Sequence, residues 1–109
     1  MTTDVLGCVD SLIAPDSADL GSAFAVRIKG QVGSNLCYRL KSIDVSWQNQ
    51  STVHLRVVGT FTSCGQATCP PELALFNEVL QLTPQVPGRL RIVADSRCAT
   101  ITDSVSVVR

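Results

Sequence analysis

The five cysteines are the residues of this 109-residue chain with the most evident chemistry: Cys8, Cys37, Cys64, Cys69 and Cys98. So many thiols in so short a chain favour disulfide bonds, each of which stabilises a small domain by about 2–4 kcal/mol and persists in oxidising compartments. We therefore expect a secreted, periplasmic or cell-surface protein. Because the number of cysteines is odd, at least one thiol must be free, lipidated or paired with another molecule.

The same thiols could instead bind a metal ion or perform redox chemistry, which is the alternative function. Zinc sites with four cysteine ligands usually take two of them from a knuckle with two to four residues between the cysteines. Cys64 and Cys69 have four residues between them, and the sequence has no second pair this close. A single histidine and a single methionine make a copper site weaker still. We expect no cofactor and no metal site.

His54 is the single histidine, so a hydrolytic mechanism would depend on it as general base. It alternates with Val53 and Leu55, and its side chain is therefore expected to point outward beside Arg56. A general base also needs a nucleophile or carboxylate at hydrogen-bonding distance, and no such set is visible in the sequence. We interpret His54 as an exposed strand residue and predict that the protein is not an enzyme.

Four basic residues on two predicted strands are candidates for a face that binds an anionic ligand: Arg39 and Lys41 on one strand, Arg89 and Arg91 on the other. Asp44 follows on the first strand and is expected to lie opposite the two arginines. Cross-strand pairs of opposite charge are therefore the simpler interpretation of this face.

Alternation of apolar and polar residues predicts the strands that position these side chains. The alternating segments are residues 24–29, 38–47, 53–61, 89–93 and 100–107. Within 38–47 the apolar positions change parity near Lys41 and Ser42, which indicates a β-bulge. Trp47 is expected to pack between two sheets. In residues 70–82, Leu75 and Val79 follow helical spacing, which predicts a short helical turn and then a strand over 78–83.

Length and composition fit a single domain over residues 1–109. Short strands separated by turn residues predict an all-β, immunoglobulin-like two-sheet antiparallel sandwich of about seven strands. Nine basic and nine acidic residues cancel, so no net field favours nucleic acid. No apolar run approaches the ~18 residues of a membrane span. Residues 1–5 lack the basic and apolar regions of a signal peptide, so either the protein is cytoplasmic or its leader is not part of this sequence. The cysteines favour the second alternative, an exported protein.

If consecutive strands run antiparallel, the turns alternate between the two ends of the sandwich. The five cysteines then all lie in or beside turns of the same end. We expect these loops to carry the ligand surface, because loops on a rigid sandwich commonly carry recognition. The sequence thus predicts a non-catalytic extracytoplasmic binding or structural module, whose partner is an unknown protein or cell-surface ligand.

Three stretches resemble bacterial secreted or lipoprotein immunoglobulin-like domains, whose functions are largely unknown: residues 21–28 with 35–38, residues 69–70, and residues 86–92. The resemblance supports the fold and export, and it implies a disulfide between Cys37 and Cys69. In such folds the first and last strands are parallel neighbours, which would set Cys8 beside Cys98. Cys64 is the other possible partner of Cys98.

Residues 5–8 resemble the small-residue motif that precedes a lipidated cysteine in bacterial lipoproteins. A lipid anchor at Cys8 is therefore an alternative to an ordinary strand cysteine, although the longer apolar segment such motifs require upstream is absent.

Overall fold

The computed structural model describes residues 2–33, 35, 37–62 and 74–109. These residues form nine β-strands and no helix, which confirms the predicted all-β class. The strands are β1 (Thr2–Leu6), β2 (Cys8–Ile13), β3 (Ser17–Asp19), β4 (Phe24–Gly33), β5 (Tyr38–Asn49), β6 (Thr52–Thr62), β7 (Ala74–Leu82), β8 (Gly88–Asp95) and β9 (Ile101–Val108).

The strands form two sheets, as predicted, but the larger sheet is mixed rather than antiparallel. The small sheet has the order β2-β4-β7 and is antiparallel throughout. In the large sheet β5 pairs with one edge of β6, while β8 and β1 share its other edge, and β9 and β3 follow β8. The pairs β6–β8 and β3–β9 are parallel. The chain leaves β6 for β7 in the other sheet and returns as β8 beside β6, and a crossover of this kind produces a parallel pair.

The core lies between the two sheets and consists of the apolar residues that the alternation predicted to face inward. Its fully buried members come from both sheets: Val26, Ile28 and Val32 from the small sheet, and Val53, Leu55, Val57, Ile92 and Val105 from the large one. Burying such side chains stabilises the fold by about 1.5–3 kcal/mol each. The alternation of apolar and polar residues in the sequence therefore identifies the side chains that pack between the two sheets.

The predicted β-bulge is present in β5. The pairing of β5 with β6 shifts between Leu40 and Ser42, so that Lys41 has no opposite residue. This extra residue lets Leu40 on one side of it and Ile43 on the other both pack against the core. A second register shift follows between Trp47 and Asn49.

The interpretation of residues 70–82 was wrong in its described part. Residues 74–82 form one continuous strand, β7, instead of a helical turn followed by a strand from residue 78. Ala74, Phe76 and Leu82 are buried, whereas Leu75 and Val79 are 70% and 49% exposed. The helical spacing of apolar residues was misleading because β7 is an edge strand and leaves apolar side chains on its outer face. Residues 70–73 lie outside the described residues.

Trp47 does not pack between the sheets as predicted, because it is 38% exposed. It lies opposite Val53, which is fully buried, so Trp47 is on the core side of the large sheet. Since β5 is an edge strand of that sheet, Trp47 has β6 on one side and no further described strand on the other. The face of Trp47 was therefore predictable from the alternation, but its burial was not.

Gly7 is the point at which the chain passes from the large sheet into the small one. Its amide donates a hydrogen bond to the Val57 carbonyl, 2.9 Å away. A Cβ on residue 7 would lie 2.8 Å from a Val57 side-chain methyl, so the close approach of this bend to β6 depends on glycine.

Candidate functional site

A disulfide between Cys8 and Cys98 joins the start of β2 to the turn between β8 and β9. The two Cα atoms are 5.2 Å apart, and 90 positions of sequence separate the cysteines. Cys8 is buried and Cys98 is exposed, so the bond connects the core to a surface turn. Two partners were possible for Cys98, Cys8 and Cys64, and in the structure Cys98 is bonded to Cys8. A sulfur held in a disulfide cannot carry a lipid, so the alternative of a lipid anchor at Cys8 does not fit the structure.

Hydrogen bonds hold the same turn in place next to the disulfide. The Ser96 hydroxyl accepts from the backbone N–H of Val9 at 2.9 Å and of Cys98 at 3.2 Å. The Arg97 backbone N–H donates to the Gly7 carbonyl at 3.0 Å. The bend at residue 7 and the β8–β9 turn are therefore fastened to each other by backbone, side-chain and covalent links. The sequence did not indicate this role of Ser96.

Cys37 is also disulfide-bonded, and its backbone N–H donates to the Asn35 side-chain oxygen at 2.9 Å. The predicted partner Cys69, and Cys64 with it, lie outside the described residues. A four-thiolate zinc site needs four reduced cysteines of the five. Because Cys8, Cys37 and Cys98 are all in disulfides, the structure does not provide those ligands. The described residues also contain no group of three potential metal ligands.

The predicted gathering of the five cysteines at one end stays a prediction, because Cys64 and Cys69 lie outside the described residues. Cys8 lies opposite Gln31, near the end of β4, and the preceding residue, Gly7, contacts Val57 in the middle of β6. Cys37 precedes Tyr38, which is opposite Phe61, about 13 Å further along β6. β8 pairs with residues 52–56 of β6 and β1 with residues 58–62 of the same edge, so the β8–β9 turn lies beside the bend at Gly7.

The outer face of the large sheet carries rows of charged side chains. Lys41 and Asp4 form an exposed ion pair at 2.9 Å. The Lys41 ammonium donates a hydrogen bond to the Asp4 carboxylate, and this bond and the attraction between the two charges raise the pKa of Lys41 above its ordinary value of 10.5. On the next row Arg56 lies opposite Asp44 on β5 and opposite Asp95 on β8. A depression of about 480 Å³ separates the two rows. Two acidic and two basic residues line it, so its formal charges cancel.

The four basic residues predicted to form a ligand face are divided between the two ends of this outer face. Arg39 is opposite Thr60, and Lys41 is next to it, whereas Arg91 is opposite Thr52. Thr52 and Thr60 are eight residues apart on one strand, which corresponds to about 27 Å. Arg89, on the same side as Arg91, donates to the Ser104 hydroxyl at 3.3 Å. Asp44 lies opposite Arg56 and not opposite Arg89 or Arg91, contrary to our expectation.

His54 points to the outer face, as predicted, but it is not an isolated exposed side chain. Its Nδ1 is 3.3 Å from an Asp95 carboxylate oxygen, and its Nε2 is 2.8 Å from the Gln48 side-chain oxygen. Both ring nitrogens thus have partners, and Ser46 is the residue opposite on β5. The ring acts as a bridge between β5 and β8. The sequence analysis did not identify either partner: Gln48 comes from the antiparallel neighbour β5, and Asp95 is brought close by the parallel pairing of β6 with β8.

No protein-family model, curated protein or solved structure matches this chain. No helix in the described part of the chain is long and apolar enough to cross a membrane.

Proposed function

We propose that this protein is a non-catalytic extracytoplasmic module that binds a protein or cell-surface ligand, or forms part of a surface assembly. The observation that carries the proposal is the Cys8–Cys98 disulfide, which fastens a core strand to an exposed turn. Bonds of this kind persist where the environment is oxidising, and small exported domains with thin cores depend on them.

We further propose that the sandwich is of the immunoglobulin-like type, in the manner of bacterial secreted or lipoprotein domains. Two features support this. The N-terminal part of the chain contributes β2 to the small sheet and then, past Pro15, β3 to the large sheet. There β3 runs parallel to the last strand, β9. A strand from the N-terminal part of the chain thus lies parallel beside the last strand, as the resemblance implied for the first strand, although β1 itself pairs with β6.

The β8–β9 turn, residues 96–100, is the part of the described surface that fits a binding role best. The disulfide and the two hydrogen bonds to Ser96 fix its backbone, while Arg97, Cys98 and Thr100 remain exposed. A loop held in one conformation loses less entropy when it binds, and recognition by loops on a rigid sandwich follows the same logic. The cation Arg97 gives this turn a preference for an acidic or hydrogen-bond-accepting partner.

The proposal is tested by the location and thiol state of the protein in the cells that make it. Cells are quenched in acid, alkylated under denaturing conditions and separated into cytoplasmic and extracytoplasmic fractions. We expect the protein outside the cytoplasm, with Cys8 and Cys98 protected from alkylation. Protein in the cytoplasm with both thiols alkylated would contradict the proposal.

A further inference from the structure

The free edge of β5 is an apolar strand edge that no other described strand covers. β5 pairs with β6 over its whole length and has no second partner among the described strands. Val45 and Trp47 are 43% and 38% exposed, although the residues opposite them, Leu55 and Val53, are fully buried. A strand edge with unpaired backbone groups is a template for pairing with another chain.

Bulges and lysine side chains usually prevent a strand edge from pairing with another chain, and in β5 they occur only towards its two ends. Lys41, at the first register shift, is held by Asp4, and the second shift follows Trp47. Between them, residues 42–47 pair regularly with β6 and contain one charged residue, Asp44. No proline or lysine interrupts this segment. As far as the described residues show, nothing covers the middle of the edge, and a further strand can pair there.

We propose that β5 pairs antiparallel with β5 of a second copy of this chain, across a two-fold axis at Val45. This register places Val45 opposite Val45 and Ile43 opposite Trp47 of the other copy. On the outer face it places Asp44 opposite Ser46, whose hydroxyl can donate to the carboxylate. An aromatic residue beside a β-branched one is a favourable cross-strand pair. The large sheets of the two copies then form one continuous sheet.

Neighbouring registers are less favourable, which is what selects Val45. An axis at Asp44 puts two carboxylates directly opposite each other, and like charges in this position destabilise a strand pair. An axis at Ser46 leaves Ile43 opposite Asn49, so two apolar side chains lose an apolar partner. With the axis at Val45, all six apolar side chains of the two segments meet one another. The sequence of β5 is thus complementary to itself in one register.

A contact limited to one strand edge is smaller than the standard interface of about 1,600 Å². We therefore expect a weak, reversible dimer that forms at high local concentration. The inference does not depend on the proposed extracytoplasmic function, since it follows from the edge alone.

The test is sedimentation equilibrium of the unreduced full chain, from micromolar to millimolar concentration. Free thiol is alkylated beforehand, so that no covalent dimer can contribute. Val45→Lys places two like charges on the axis, and we expect it to weaken the dimer at least about tenfold. The matched control is Val79→Lys, since Val79 is an exposed valine of similar accessibility on β7. This control should dimerise like the wild type.

A mixture supplies the decisive second measurement. Because residue 45 faces its own copy across the axis, V45K and V45D should each dimerise more weakly than the wild type when alone and should form a mixed dimer together. A wild type that stays monomeric at millimolar concentration would overturn the proposal. So would a V45K dimer as strong as the wild type, or a mixture of V45K and V45D that stays monomeric. Should either variant fail to fold, concentration-dependent amide protection at residues 43–47 of the wild type replaces it, and its absence would refute the dimer.

Discussion

Removing the Cys8–Cys98 disulfide by the double substitution C8A/C98A should cost a large part of the stability of the domain. The bond closes a loop across a separation of 90 positions. Opening a loop of this length returns about 4–5 kcal/mol of chain entropy to the unfolded state at 25 °C. A domain of this size has a stability of about 5–15 kcal/mol in total. We therefore expect the variant to be partly unfolded or close to it at moderate temperature.

The assay is urea denaturation without reductant, followed by tryptophan fluorescence and circular dichroism. The control is C98A alone, which also lacks the bond but keeps the buried Cys8 side chain and so separates the cross-link from its packing. Both variants should lose stability by a similar amount, with the alanine at position 8 adding a small cavity cost. A loss below about 1 kcal/mol in both would refute the reasoning, because the bond would then not constrain the unfolded chain.

The remaining predictions concern two glycines and two charged pairs on the outer face of the large sheet. Gly30→Ala should destabilise the fold by at least about 2 kcal/mol in urea denaturation, because a Cβ would overlap the Cys8 carbonyl oxygen. Gly21→Ala, which meets no neighbouring atom but has a positive φ, should cost about 1–2 kcal/mol, and an equal or larger loss at Gly21 would contradict this comparison. A double-mutant cycle of His54→Ala and Asp95→Ala should give a coupling free energy below about 1 kcal/mol, since both side chains are partly exposed; a larger value would indicate a more buried pair. Asp4→Asn should lower the raised pKa of Lys41 in an NMR titration, and an unchanged pKa would show that Asp4 is not its cause. Because the folded-state pKa is raised, the contribution of this pair to stability is present below pH 10.5 and is lost as the pH rises through the folded-state value.

The sequence predicted those features that depend on short-range periodicity. Val53, Leu55 and Val57 alternate with polar residues and are buried, and the parity change at Lys41 is a register shift in the structure. Both the burial and the register shift can be predicted from neighbouring residues, because side chains of a strand point alternately to its two faces. The all-β class and the two-sheet arrangement follow from the same pattern.

Pairing between distant strands could not be predicted in this way. The parallel neighbours β6 and β8 bring His54 to Asp95 and divide the four basic residues between two ends of the sheet. They also place the β8–β9 turn, which contains Cys98, beside Gly7. The local sequence predicts which face of the sheet a side chain lies on, but it does not predict which strand is the neighbour. The exposure of Trp47 has the same origin, because it depends on the place of β5 at the edge of the large sheet.

The most direct test of the account is a disulfide map of the unreduced, alkylated protein, by trypsin digestion and mass spectrometry. Cleavage after Arg27 and Arg97 leaves Cys8 and Cys98 in separate peptides, residues 1–27 and 98–109. The account predicts that these two peptides are found linked to each other. A link from peptide 98–109 to the peptide that contains Cys64, or two alkylated peptides with no link, would contradict it.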